Sequence, residues 1–485
     1  MVKKEKQALT GGSHPWRSRC LGGGLFVLVL TALATCQRDA TPSPWVAPCL
    51  PGGKERLVYS SPDLVTKPSF VGNKGGFSVA KHPPTVIFSY LPGQDHPGRL
   101  WAAWGAGTVI KGKFYTPYGD HEVRTYIAEW DPETGAHSLL ADTTKFLNLP
   151  KDQYTPGKIH SQLTLGKDGW LYYSTHNSGY DIMQAYAYNG DWILRTHPET
   201  GKTEIVAQGP VGLASIPVGF ADPERMIFFG GTEQRALFFA YDLVNKRLLY
   251  KSPPGEGPSR GLPYAQSTGR AYFRGNWLEP FRKRLDNLLP EADDLMASDV
   301  AHPWGIMRRW DVKSGEVVEI RTECDPRASA RESRDGVVWI ADWGGRLWRL
   351  DVASETFTPV ANLAVMSQRY ITSLVLDSNG RYLYYCPGAH GMASADGTPI
   401  LQYDIKTGNV KVICFLTPAT LTMGAGYVCV GTYGMALSED DSTLFATWNG
   451  FRASSADLRY MRPDGIPWDA CAVTAIRIPA EERMP

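Results

Sequence analysis

Met307-Arg-Arg-Trp-Asp311-Val-Lys-Ser-Gly315 is one copy of a phrase that recurs along this chain. The other copies are Ile127-Ala-Glu-Trp-Asp131-Pro-Glu-Thr-Gly135, Ile193-Leu-Arg-Thr-His197-Pro-Glu-Thr-Gly201, Phe238-Phe-Ala-Tyr-Asp242-Leu-Val-Asn245, Leu347-Trp-Arg-Leu-Asp351-Val-Ala-Ser354 and Leu401-Gln-Tyr-Asp404-Ile-Lys-Thr-Gly408. In each, an apolar strand runs into a polar residue and a tight turn. The spacing, 40 to 69 residues between anchors, is that of a four-stranded sheet with variable loops, repeated.

Upstream of most anchors lies a second hairpin. Ser161-Gln-Leu-Thr-Leu-Gly-Lys-Asp168-Gly169-Trp-Leu-Tyr-Tyr-Ser174 is its best copy, and Asp335-Gly336, Asn379-Gly380 and Asp441 mark others. Asp-Gly and Asn-Gly supply the positive φ of a tight hairpin, and aromatic and β-branched flanks suit a pleated surface. These hairpins are expected to form the inner two strands of each blade, and the acidic turns to join the outer two. The fold class is therefore all-β, a seven-bladed β-propeller, with blades over 100–142, 158–208, 213–254, 259–322, 326–363, 368–417 and 426–479. The last blade lacks a strand before the chain ends at Pro485. Residues 57–60 or 85–90 are expected to supply it and close the ring, which removes exposed edges. Two smaller all-β domains are the alternative, but no Pro/Ser-rich linker divides the repeats.

Residues 1–36 read as an export signal, in which a basic start precedes the apolar run Leu25–Ala34. Leu33-Ala34-Thr35-Cys36 resembles a bacterial lipobox, so lipidation at Cys36 and membrane anchoring stand beside plain secretion; Thr35 departs from the usual small residue. Residues 37–56 read as a linker and 57–485 as one propeller domain, expected to be a monomer. A formal net charge of +1, with 20% charged and 43% hydrophobic residues, argues against nucleic acid as an electrostatic partner. Cys49, Cys324, Cys386, Cys414, Cys429 and Cys471 form no Cys-x-x-Cys pair, which disfavours a structural zinc.

Repeat position becomes spatial position in a propeller. Entry into the innermost strands places Trp104, His160, Ser215, Arg260, Arg327, Arg369 or Tyr370, and Tyr433 around one mouth of the channel. The loops leaving the second strands add Tyr118, His121, His176, Asn177, Gly231, Arg274, Asn276, Trp343, His390, Trp448 and Asn449. Arginines there would receive carboxylates or sulfates through bidentate hydrogen bonds, tryptophans offer faces on which sugar rings stack, and imidazoles move protons near neutrality. An anionic polysaccharide or oligosaccharide satisfies all three. The insertion 276–299 has the apolar spacing of a short amphipathic helix laid over the rim.

The stretch Lys158-Ile-His160-Ser through Asp168-Gly-Trp-Leu-Tyr-Tyr-Ser-Thr-His176-Asn-Ser-Gly-Tyr180 resembles the paired-histidine blade of secreted seven-bladed polysaccharide lyases of the ulvan and oligogalacturonate lyase type. The resemblance implies β-elimination on a uronic-acid-containing glycan, with His160 and His176 catalytic, Tyr264 or Tyr272 as the tyrosine and Arg274 as the arginine. Arg260, Arg369, Tyr370, His390, Trp343, Tyr433, Trp448 and Asn449 would bind substrate. No cofactor is assigned; a divalent metal held by His160, His176 and His390 is the alternative means of neutralising the uronate. A non-catalytic envelope propeller that binds glycan or protein is the rival, because the fold hosts both.

Overall fold

The computed structural model describes residues 45–72, 74–94, 100–150, 153–176, 188–233, 235–258, 260–274, 305–389, 392–452 and 468–483. They form seven antiparallel sheets arranged as the blades of a propeller. Blades one to five are four-stranded meanders: Thr108–Ile110 to His137–Asp142, Thr164–Leu165 to Thr203–Gln208, Val218–Asp222 to Arg247–Lys251, Tyr264–Ala265 to Val317–Arg321, and Pro326–Ser329 to Thr356–Asn362. Blade six runs from Ile371–Leu376 to Val410–Phe415, and a short strand, Ser78–Val79, adds to it in parallel. Nothing in the repeat pattern announced that strand.

Blade seven is built from both halves of the chain. Its sheet runs Met435–Leu437, Thr443–Arg452, Ala470–Arg477, Thr85–Tyr90 and Leu57–Tyr59, with Thr85 opposite Arg477 and Leu57 opposite Phe88. Tyr427–Gly431 pairs with the far end of Thr443–Arg452. The segment before Leu57 lies against the blades: Trp45 sits edge-on to Tyr126 at 5.3 Å, and Leu50 is buried.

The recurring phrase has a physical cause. At every anchor but one, an Asp side chain accepts backbone N–H groups of the turn between third and fourth strands. Asp311 Oδ1 takes Lys313 N and Ser314 N at 2.9 and 3.1 Å, and Asp131, Asp242, Asp351 and Asp404 act alike. At the odd copy His197 Nδ1 accepts from Glu199 N at 3.3 Å. An Asx-type bond satisfies a donor that a tight turn would otherwise leave unpaired. On the inner hairpins Gly169 has φ +81°, where a side chain would be strained.

Blades pack face to face through aromatic residues. Phe238 stacks on Phe273 at 4.2 Å between blades three and four, and Phe114 on Phe445 at 5.3 Å between blades one and seven. The innermost strands also bond across blades: Gln162 N donates to Gly219 O and Leu163 N to Ala106 O. Together they enclose a channel of about 610 Å³ lined by all seven blades. No helix among the described residues is long and apolar enough to cross a membrane.

Candidate functional site at one mouth of the channel

The entry positions converge. Trp104 of blade one is the hub, with its ring centroid 4.6 Å from Trp468, 4.5 Å from Tyr433 and 5.5 Å from His160. Gly105 permits this approach, because a Cβ there would lie 2.6 Å from the Ser161 carbonyl oxygen of blade two. Trp104 Nε1–H donates to His121 Nε2 at 2.7 Å, and His121 Nδ1 lies 3.0 Å from Leu100 O. An Nε2 that accepts leaves the proton on Nδ1, so Leu100 O is its acceptor and His121 is a neutral structural brace. It holds φ +63°, a sparsely populated conformation for a side chain of this kind.

His160 and His176 of blade two stand side by side, their ring centroids 4.3 Å apart. The pair is set by backbone pairing: His176 N donates to Lys158 O at 2.9 Å, which brings the two strand ends together. Arg260 Nη1 approaches His160 Nδ1 at 2.7 Å. His176 Nδ1 bonds the Ser215 hydroxyl, and its Nε2 lies 3.8 Å from Glu233. Burial pushes both imidazoles well below the usual histidine range; Arg260 and Lys158 add to this in each case, as does His176 for His160. Neutral imidazoles at pH 7 follow.

Opposite them lies an arginine in an aromatic box. The Arg327 guanidinium sits 4.4 Å from the centroid of Tyr370, 5.0 Å from Trp343 and 5.5 Å from Tyr433, although Arg327 itself is only 3% exposed. Three π faces stabilise a desolvated cation. The box spans blades five, six and seven. Arg327, Arg260, His160, Trp104 and Tyr433 all line the channel.

Several residues expected here lie elsewhere. Trp448 and Asn449 are fully buried, because the strand expected to end before them continues to Arg452. Trp448 Nε1–H donates to Thr474 at 2.8 Å, and Asn449 clamps both the N–H and C=O of Ala103, fastening blade seven to blade one. Tyr272 is buried between blades four and five with its hydroxyl on Glu355. Arg274 is committed to a buried ion pair with Asp325. Tyr264 lines the channel, but its hydroxyl is bonded to Asp222, at the end of the inner strand of blade three. Arg369 is exposed and outside the channel lining, whereas its neighbour Tyr370 belongs to the box. His390, Asn177, the insertion 276–299 and Cys36 fall outside the described residues.

Sequence reasoning placed Trp104 on this face as a surface for sugar stacking and Arg327 there without an individual role, and it missed Glu233 and Trp468. Trp104 and Arg327 carried a signal as the entry residues of blades one and five, whereas Glu233 and Trp468 carried none. Of the three histidines expected as metal ligands, His390 falls outside the described residues. His160 Nδ1 faces a guanidinium, His176 Nδ1 faces a hydroxyl, and no three His, Cys, Asp or Glu residues gather as a ligand set among the described residues. In comparisons with known proteins, the sequence matches no family model and no curated protein. What stands is a seven-bladed β-propeller whose channel mouth joins two arginines, two neutral histidines and a ring of aromatic side chains.

Proposed function

We propose that this mouth binds an anionic carbohydrate, with Arg327 receiving a uronate carboxylate and Trp104 and Trp343 offering ring faces to the sugar. The observation that carries this reading is the buried Arg327 cation held among three aromatic rings beside the channel. A planar guanidinium fixed in this way is suited to bidentate carboxylate recognition, and aromatic walls suit the apolar face of a pyranose. The basic and apolar leader supports an encounter outside the cytoplasm, where such polymers occur; a lipidated Cys36 would keep the protein at an envelope surface.

Cleavage by β-elimination is the second step of the proposal. It is favoured by Tyr433 and His160 both lying against Trp104 at the channel. With the carboxylate neutralised by Arg327, the adjacent carbon-bound proton becomes acidic. The Tyr433 oxygen, acting as a phenolate, takes that proton, the C–H electron pair forms the C=C bond, the glycosidic C–O bond breaks, and the new Tyr433 hydroxyl returns the proton to the leaving oxygen, to which the neutral His160 donates a hydrogen bond. These roles replace those first given to Tyr264, Tyr272 and Arg274, whose polar atoms are engaged elsewhere. A panel of uronic-acid polymers, read by the absorbance of the unsaturated product, tests the step. Parent activity lost in Tyr433→Phe supports it; binding without product leaves a glycan-binding propeller, and neither binding nor product on any polymer refutes the whole reading.

A further inference from the structure

Arg260 looks at first like a second substrate cation, but its geometry gives it another task. Its Nη1 lies 2.7 Å from His160 Nδ1. A guanidinium has five donors and no acceptor, and it stays charged at any accessible pH. The shared proton therefore belongs to Arg260, and Nδ1 must present its lone pair. A neutral imidazole with an accepting Nδ1 carries its hydrogen on Nε2. Doubly protonated His160 is incompatible with this contact, and positive charge on Lys158, His176 or His121, as on Arg260, also opposes it.

His160 Nε2 is buried and makes no hydrogen bond among the described residues. A buried N–H without an acceptor costs about 1–3 kcal/mol, so an orphan of this kind points to a partner supplied from outside. We infer that Arg260 is a positioning residue that locks His160 as an Nε2–H donor, so that the mouth selects ligands presenting an oxygen acceptor there. This deepens the proposed function and rests on it for the nature of the ligand. The tautomer itself does not depend on any ligand. In the elimination scheme, the lock makes His160 a hydrogen-bond donor to the leaving oxygen and excludes it as the base.

The test is nitrogen NMR of the full chain labelled at histidine and arginine, with His160 assigned by loss of its signal in His160→Gln. The parent without glycan should show a protonated Nε2 and a bare Nδ1. Arg260→Lys should keep that signature because an ammonium also only donates, and Arg260→Met should give mixed tautomers. Binding of a uronate oligosaccharide should weaken about tenfold in Arg260→Met and less in Arg260→Lys. A protonated Nδ1 in the parent, or an unchanged signature in folded Arg260→Met, overturns the inference. Should Arg260→Met not fold, coupling across the hydrogen bond between Arg260 Nη1 and His160 Nδ1 in the parent decides: its presence upholds the lock and its absence removes it. The expected tautomer in a protein that binds no uronate would leave the lock standing while the carbohydrate reading fails.

Discussion

Replacing Glu482 by Gln should make the protein less stable at neutral pH and not at pH 2. Glu482 lies in the C-terminal helix Ala480–Arg483, with its side chain 6% exposed. Its Oε1 accepts from Lys81 N at 2.8 Å and His82 N at 3.0 Å, and its Oε2 pairs with Lys411 Nζ at 2.8 Å. The carboxylate thus ties the chain just before strand Thr85–Tyr90 to the outer strand of blade six. Burial raises its pKa, but the bonds from Lys411, His82 and Lys81 outweigh burial and hold it down to about 2, against an ordinary 4.5. Taken whole, that depression is worth about 3 kcal/mol. His82 is 54% exposed and Lys411 26%, so solvent screening reduces the figure to roughly 2 kcal/mol. The folded state holds the lower pKa, so this stability is complete above about pH 4.5 and is lost as pH falls through about 2. With about 2 cal/mol/K of unfolding entropy per residue, Glu482→Gln should lower Tm by about 2 °C at pH 7. Calorimetric scans of parent and variant from pH 7 to pH 2 should show the two Tm values converging below pH 4.5. A gap that stays constant across that range, or no gap at pH 7, refutes the argument.

Three further outcomes are expected. Asp311→Ala removes the acceptor for Lys313 N and Ser314 N and the partner of Arg270, and should cost about 1–3 kcal/mol in urea unfolding, with Asp311→Asn recovering part of it. Phe238→Ala empties a fully buried position stacked on Phe273 and should cost about 3–5 kcal/mol by the same assay while leaving glycan affinity within twofold. Arg274→Met breaks the buried ion pair with Asp325 and should destabilise by about 3–5 kcal/mol; glycan affinity, measured at a temperature where the variant is folded, should stay at the parent's level.

Where a local rule decides the structure, the sequence was legible. The Asp anchors exist because each turn needs an acceptor within two or three residues, so six blades could be counted from that phrase alone. The entry positions followed from the same register, which is why Trp104, His160, Arg260, Arg327 and Tyr433 converge as the repeat alignment implied. Long-range partners were not legible. Trp448 and Asn449 were assigned to a loop because their strand's continuation to Arg452 depends on pairing with Tyr427–Gly431, twenty residues upstream in a different register. Tyr272 and Arg274 sit in the expected strand, but what their side chains meet is decided by Glu355 and Asp325, one blade further on. The aromatic box around Arg327 draws one ring from each of blades five, six and seven, and no spacing within a repeat encodes it.

The proposed function turns on Arg327, in its aromatic box, receiving the carboxylate of an anionic sugar. Titration calorimetry of a uronate oligosaccharide against parent and Arg327→Met tests it most directly, with the reduced, neutral form of the same sugar as control. A charge-assisted pair contributes about 1.5–3 kcal/mol, so the variant should bind about 10- to 150-fold more weakly. The neutral sugar should bind parent and variant with equal, weak affinity. Equal affinity of parent and folded Arg327→Met for the uronate would contradict the claim.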